Sequence, residues 1–191
     1  MELTLRLLTL ALFVTRSAYW IITERQANVA KPKLTFATSI NYRGRLPSLI
    51  VVLIIAAQLL GLPLLQFPNH PAIELLGFAL VAIGFGISMS ARHTLGTNWA
   101  HAAEYQIKSG HELVTTGIYR YLRHPIYSGL ALSAIGAELV AGSWLAIALL
   151  LLGPIPALSQ AKKEETILIK QFGQSYRTYM RRTKMFLPFI W

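Results

Sequence analysis

The sequence predicts an all-α integral membrane protein with five transmembrane helices, the last two forming a tight hairpin. Three observations carry that expectation. Of 191 residues, 54% are hydrophobic and 14% charged, with a mean hydropathy of +0.48; these are too few charges and too many apolar runs for a soluble domain of this length. The basic residues gather in alternate connectors, as the positive-inside rule requires of a multi-pass chain. Gly142 and Ser143 alone separate two apolar segments, and so short a connection implies an antiparallel helical pair.

Residues 3–22 form the first apolar segment. Arg6 and Arg16 each lie towards one end of it, so each guanidinium is expected to snorkel to its own interface. A cleaved leader is disfavoured, because Arg16 interrupts the apolar stretch and no small-x-small site follows. Residues 23–45 hold Arg25, Lys31, Lys33, Arg43 and Arg45 against Glu24 and read as cytoplasmic. Residues 46–65 are the cleanest span, about 20 charge-free residues or about 30 Å of helix. Residues 66–71 make an uncharged, proline-containing turn suited to the outer side. Residues 72–90 cross back, with Gly77, Gly84, Gly86, Ser88 and Ser90 offering small faces for close helix packing. Glu74, at the outer edge, is expected to be solvated. Residues 92–124 are then cytoplasmic again.

The hairpin arms are residues 126–140 and 144–158, about 22 Å each. Pro154 and Pro156 are expected to kink or end the second arm, and Glu138, near the outer turn, to be exposed. From Ser159 the pattern changes. Lys162, Lys163, Glu164 and Glu165 lead into Ile167, Leu168 and Phe172, with Gly173 placed to cap a helix. Residues 174–184 interleave Tyr176 and Tyr179 with Arg177, Arg181, Arg182 and Lys184, the composition of an interfacial anchor. The apolar end, residues 186–191, is expected to tuck back against the bundle. Apart from Arg6 and Arg16, every lysine and arginine falls on the expected cytoplasmic side. The predicted topology has its N-terminus outside and C-terminus inside. The chain reads as a single membrane domain in which residues 1–91 supply three spans and residues 92–191 the functional half.

The polar residues of the inner face form three groups: 98–104, 111–127 and the pair Glu164 and Glu165. The densest reads H-E-L-V-T-T-G-I-Y-R-Y-L-R-H-P-I-Y over residues 111–127. Anchoring at an interface uses tyrosine and arginine, but does not require Arg-His-Pro followed by Tyr. The lack of cysteine excludes disulfides, Cys-ligated metal and thiol catalysis. His93, His101 and Glu104 do not have the spacing of a zinc helix. There is no nucleophile elbow, no glycine-rich phosphate loop or dinucleotide fingerprint, and no basic helix or motif for nucleic acid. What remains is a cationic, amphipathic cofactor. The faces of Tyr119, Tyr121 and Tyr127 attract a sulfonium by about 0.5 to 2 kcal/mol. Glu164 or Glu165 can pair with an α-amino group, and Arg123 or His124 with an α-carboxylate. Taken alone, the two glutamates read as an exposed pair bonded to Lys162 or Lys163 on a helix surface.

At these residues the chain resembles a known family. L-V-T-T-G-I-Y-R-Y-L-R-H-P-I-Y-S-G, then E-E, then F-G-x-x-Y-x-x-Y and a terminal P-F-I, is similar to the isoprenylcysteine carboxyl methyltransferases and their phospholipid methyltransferase-like bacterial relatives, over residues 96–190. The resemblance implies an integral-membrane methyltransferase that uses S-adenosylmethionine, releases S-adenosylhomocysteine, and holds the cofactor in a cytoplasmic pocket roofed by the C-terminal segments. It implies that His111, Glu112, Leu113, Val114 and Tyr119 run along the cofactor, that His124, Pro125, Ile126 and Tyr127 close round it, and that Glu164 contacts it. Glu104 falls near a position where eukaryotic members carry a glutamine cofactor contact, and Gln160 stands where they carry a substrate-linked arginine.

Methyl transfer from a sulfonium is an in-line displacement, so the protein must align nucleophile and methyl at about 3 to 3.5 Å and exclude water. A carboxylate acceptor needs no general base; an amine acceptor must lose a proton, to Glu165 or His124. A lipid or lipid-like acceptor is expected to enter sideways between the spans, with no protein partner evident. Two other readings stay open. Membrane sterol reductases, which bind NADPH, look similar over the C-terminal region but are longer. A non-enzymatic membrane module or small transporter would, in its transport form, show polar residues at midplane or paired broken helices.

Overall fold

Large apolar side chains point outward along the long helices, among them Leu3, Leu7, Val14 and Ile21 near one end of the chain and Leu150, Leu151 and Leu152 near the other. A protein surrounded by lipid has this pattern, because no hydrophobic drive exists to hide such groups from hydrocarbon. The computed structural model describes residues 2–26, 49–68, 70–98 and 112–187. The helices are α1 (Glu2–Gln26), α2 (Leu49–Leu59), α3 (Pro71–Leu95), α4 (Pro125–Ala141), α5 (Leu145–Leu152), α6 (Pro154–Phe172) and α7 (Gln174–Arg182), with 3-10 turns at Gly96–Asn98 and Gly117–Arg120. Among the described residues the only strand-like pairings are two isolated bridges.

Three stretches are long and apolar enough to cross a membrane: Glu2–Thr23, Pro71–Leu95 and Leu145–Phe172. Leu49–Leu59 and Pro125–Ala141 are shorter apolar helices. The all-helical membrane character is therefore as expected; among the described residues three of the five predicted spans are long apolar helices and two are shorter. α2 ends earlier than the sequence pattern promised. Its C-terminal end lies at Leu59 because Gly61 takes a positive φ of 101° and Pro63 follows, which has no N–H to continue the helix.

The second hairpin arm differs in the opposite sense. Pro154 and Pro156 end α5, but a new helix starts at once, because Gly153 keeps helical dihedrals of −56° and −35° and a proline suits the first turn of a helix. The two together form a rod over Leu145–Phe172, about 42 Å long. That exceeds the roughly 30 Å of a hydrocarbon core, so the part of α6 bearing Glu164 and Glu165 emerges at the far boundary.

The centre of the bundle is the α3–α4 pair. A Cβ on Gly84 would lie 2.5 Å from the Gly129 carbonyl oxygen, and one on Gly77 would lie 2.6 Å from that of Gly136. Gly129 in turn admits Ser88, whose Oγ would be 2.3 Å from an added Cβ. Close backbone approach of this kind replaces hydrophobic collapse as the source of helix association in lipid. Gly86 and Ser90, also read as small-face positions, point away from this contact.

Two carboxylates expected at the surface are buried. Glu74 is 4% exposed in the first turn of α3, where the positive end of the helix dipole favours an anion. Glu138 is 1% exposed and lies close to the polar side chains of Ser143 and Gln58. Gln58 itself donates to Leu64 O at 3.2 Å and Ser143 Oγ at 3.1 Å. In a chain surrounded by lipid a solvated carboxylate was not on offer, so a polar node between α2, α4 and the α4–α5 turn accommodates it. That turn also pairs with the one after α2, through Phe67 N–H to Gly142 O at 2.8 Å and Trp144 N–H to Leu65 O at 2.9 Å. The opposite end of the bundle carries the start of α4 and everything that follows α6.

Candidate functional site

Three chain segments meet where α4 begins. The backbone of Arg123 donates to Lys184 O at 2.8 Å, that of His124 to Met185 O at 3.1 Å, and that of Lys184 to Tyr121 O at 3.1 Å. The C-terminal strand-like segment is thereby tied alongside residues 121–124, and Ser128 Oγ donates to Phe186 O at 2.7 Å. The described part of the apolar C-terminal end thus tucks back as expected.

On this frame four charged groups interlock. Arg123 Nε donates to Glu165 Oε1 at 2.6 Å, and Arg123 Nη1 to the carbonyls of Thr183 at 2.6 Å and Met180 at 3.2 Å. His124 faces two carboxylates at once, Nδ1 towards Glu164 Oε2 at 3.4 Å and Nε2 towards Glu165 Oε1 at 3.3 Å. Two ring nitrogens that both face acceptors are satisfied together only by imidazolium, in which both are donors. Burial works to lower the His124 pKa, but hydrogen bonds to Glu164 and Glu165 and their charges outweigh it, and the net shift is upward. Arginine and imidazolium then balance two carboxylates, which is how a buried quartet avoids an unpaired charge.

The two glutamates are not alike. The side chain of Glu165 is 7% exposed and spent on Arg123 and His124; that of Glu164 is 22% exposed. Glu164 accepts a short hydrogen bond from the Tyr127 hydroxyl and a longer one from Gln160 Nε2 at 3.5 Å. The Tyr127 ring stacks on that of His124 with centroids 5.7 Å apart, and Phe186 covers the other flank at 5.9 Å. The surface pairing of these glutamates with Lys162 or Lys163 is thus corrected: the helix turns them inward against α4.

Tyr119 is buried, and its carbonyl accepts from the Tyr179 hydroxyl at 2.7 Å. Tyr176 is buried too, and burial raises the pKa of both Tyr119 and Tyr179. The tail tyrosines therefore pack inside the protein rather than anchoring it in lipid. Sequence reasoning missed them as site-forming residues; the signal was their i, i+3 spacing on a helix whose remaining face is cationic. Tyr121, expected beside the other rings, is 51% exposed. Pro125 and Ile126 form the first turn of α4.

Glu112, Leu113 and Val114 lead into the 3-10 turn, and Glu112 N–H donates to Asn98 Oδ1 at 3.0 Å. Among the described residues, Leu113, Thr115, Arg120, Thr178, Tyr179 and Arg182 help line an open cavity of about 620 Å³ between this segment and α7. Thr183 also lines it, and the Thr183 carbonyl accepts from Arg123 Nη1 at 2.6 Å. Glu104 and His111 lie outside the described residues, as do Trp99 and His101.

A carboxylate partly open to solvent, a tyrosine hydroxyl and stacked aromatic rings form a set suited to a nucleoside-like cation. The model of the phospholipid methyltransferase family matches residues 73–175, more than half of the chain and all four of these charged residues. The chain belongs to the phospholipid methyltransferase family.

Within that family it is similar to the protein-S-isoprenylcysteine O-methyltransferase of Homo sapiens, with 31% identity over 125 residues covering 60% of this chain and 40% of that protein. The Schizosaccharomyces pombe protein of the same name is 33% identical over 116 residues, covering 60% and 48%. Protein-S-isoprenylcysteine O-methyltransferase B of Arabidopsis thaliana is 28% identical over 156 residues, covering 76% and 73%. The chain thus spans about half the length of the first two relatives. Among solved structures, the eukaryotic intramembrane Ras methyltransferase, an isoprenylcysteine carboxyl methyltransferase, superimposes with a TM-score of 0.55 at 21% identity, covering 88% of this chain and 60% of that one. That likeness supports the family's fold, and the resemblance first visible at residues 111–127 is borne out.

Proposed function

We propose that the protein is an integral-membrane methyltransferase that transfers the methyl group of S-adenosylmethionine to a lipid or lipid-like acceptor. The observation that carries this reading is the meeting of Tyr127 and Glu164 beside His124, in a chain of the phospholipid methyltransferase family. The residues present fit the cofactor. Glu164 offers a carboxylate with an open side for an α-amino group, and Tyr127 and Phe186 offer faces for a sulfonium. Glu112, Leu113, Val114, Tyr119, Pro125 and Ile126 complete the proposed enclosure, and the family resemblance adds His111 and Glu104 as candidate contacts.

S-adenosylmethionine, when bound, supplies an electrophilic methyl on a sulfonium. The protein's part is alignment and exclusion of water, which suffices for an in-line displacement. Arg123, His124 and Glu165 hold Glu164 and Tyr127 in place. With both ring nitrogens of His124 committed and Glu165 bonded to two cations, neither stands free as a proton acceptor. This supports a carboxylate acceptor, which needs no base, over an amine, and agrees with the O-methyltransferase names of the relatives.

On this reading the five helical segments α1, α2, α3, α4 and the α5–α6 rod lie in the membrane, with the N-terminus outside and the site and C-terminus cytoplasmic. Residues 1–91 form the lipid-embedded support and residues 92–191 the catalytic half. Calorimetry on detergent-purified protein tests the proposal: S-adenosylmethionine and S-adenosylhomocysteine are expected to bind. Binding of NADPH alone would move the protein to reductase chemistry, and no binding of any of the three would leave a non-enzymatic module.

A further inference from the structure

Arg16 lies inside the 22-residue apolar stretch Glu2–Thr23. It shares the half-buried stripe of α1 with Phe13 and Trp20, which faces the bundle, while Val14, Thr15, Ser17 and Ala18 on the other side are exposed. Its Nε is buried without a hydrogen-bond partner, and no ion pair or hydrogen bond reaches the side chain among the described residues. What it has is aromatic: the guanidinium carbon sits 5.8 Å from the Phe13 ring centroid and 5.8 Å from that of Trp20.

The same Trp20 ring has a second cation 5.9 Å from its centroid, the guanidinium of Arg92 in the last turn of α3. Arg92 Nη1 donates to Gly96 O at 3.0 Å. Immediately beyond, Thr94 packs against Gly117 at the head of the 3-10 turn that carries Tyr119. Arg16 therefore lies at the same end of the bundle as the candidate site, about 6 Å further into the membrane along α1 than Trp20.

A guanidinium inside an apolar stretch, with no carboxylate to pair it among the described residues, is costly unless an anion completes it. Two aromatic faces offset part of that cost but leave the buried Nε without an acceptor, and a guanidinium fork matches a carboxylate or phosphate bidentately. We propose that Arg16, backed by the Phe13 and Trp20 rings, binds the acidic group of an amphiphile lying in the membrane against α1 and α3. Resting on the methyltransferase reading, the inference assigns the acceptor an anionic head and makes Arg16, on a helix outside the residues that match the family model, a specificity-determining residue.

The test is equilibrium binding of radiolabelled oleate, oleyl phosphate and oleyl alcohol to the protein in phosphatidylcholine nanodiscs, with empty nanodiscs as background. Wild type is expected to bind oleate or oleyl phosphate saturably and at least about tenfold more tightly than the alcohol; which acid binds better identifies carboxylate or phosphate as the natural head. Arg16→Gln should lose this preference and Arg16→Lys retain part of it, since lysine keeps the charge but not the fork. Equal binding of the alcohol by wild type, or an unchanged acid preference in Arg16→Gln, overturns the inference. Wild type and Arg16→Lys decide the matter if the glutamine variant does not fold. S-adenosylmethionine binding on the same samples separates the two claims. Absent cofactor binding by wild type defeats the methyltransferase reading, whereas intact cofactor binding without an Arg16-dependent acid preference defeats only this one.

Discussion

Arg123 and Glu165 meet at 2.6 Å with both side chains at least nine-tenths shielded, joining the residue that precedes His124 to the C-terminal half of α6. A buried pair of this kind costs desolvation to assemble, but removing one member leaves the other charged and unpaired, a loss of about 3 to 5 kcal/mol. Arg123→Met and Glu165→Leu are each expected to lower the thermal unfolding temperature of detergent-solubilised protein sharply, and the double variant to recover part of the loss. A double variant as unstable as the sum of the singles would show that the two side chains act independently.

The bond between Tyr127 and Glu164 sits on the exposed side of the same cluster, so its loss should touch ligand binding before it touches the fold. Tyr127→Ala and Glu164→Ala are each expected to weaken S-adenosylmethionine binding more than about tenfold, the size of one lost hydrogen bond to a charged group. Calorimetry gives the affinity, and an unchanged unfolding temperature shows that the bundle survives. Unaltered affinity in both variants would remove these residues from the cofactor site.

The position of His124 fixes the sign of a pH dependence. Its pKa in the folded protein is raised above the ordinary value of about 6.5, so the folded state holds a proton that the unfolded chain releases. The stabilisation is fully present below about pH 6.5 and is lost as pH rises through the raised folded value. Unfolding temperature should decline on going alkaline across that window, and His124→Gln should flatten the decline. A variant that follows the wild-type curve in parallel would place the titrating group elsewhere.

The glycine contacts of α3 and α4 predict opposite effects for one substitution. Gly84→Ala and Gly129→Ala each place a methyl about 2.5 Å from a backbone oxygen of the facing helix, forcing the helices apart and costing about 1 to 3 kcal/mol as overpacking does. Gly86→Ala meets nothing within 4 Å and gains up to about 1 kcal/mol of helix propensity. Unfolding temperatures of the three variants check this, and equal effects at Gly84 and Gly86 would contradict the close packing.

Membrane residence, helical class and the family resemblance of residues 111–127 were determined by the sequence alone, because long apolar runs and their charged flanks have one physical solution in lipid and motif residues keep their chemistry wherever the chain places them. Gly77, Gly84 and Ser88 were likewise legible as packing positions, since small residues are what a close crossing needs. Tertiary structure decided the rest, for a reason visible in particular residues. Nothing local to Glu138 tells that Gln58 and Ser143 will accept it, nothing local to Glu165 tells that Arg123 will, and Tyr179 reads as a lipid anchor until Tyr119 is seen to take its hydroxyl hydrogen. The environment of a polar side chain is set by residues far away in the chain, and in a helix the turn that rotates it towards them depends on packing that only the assembled bundle supplies.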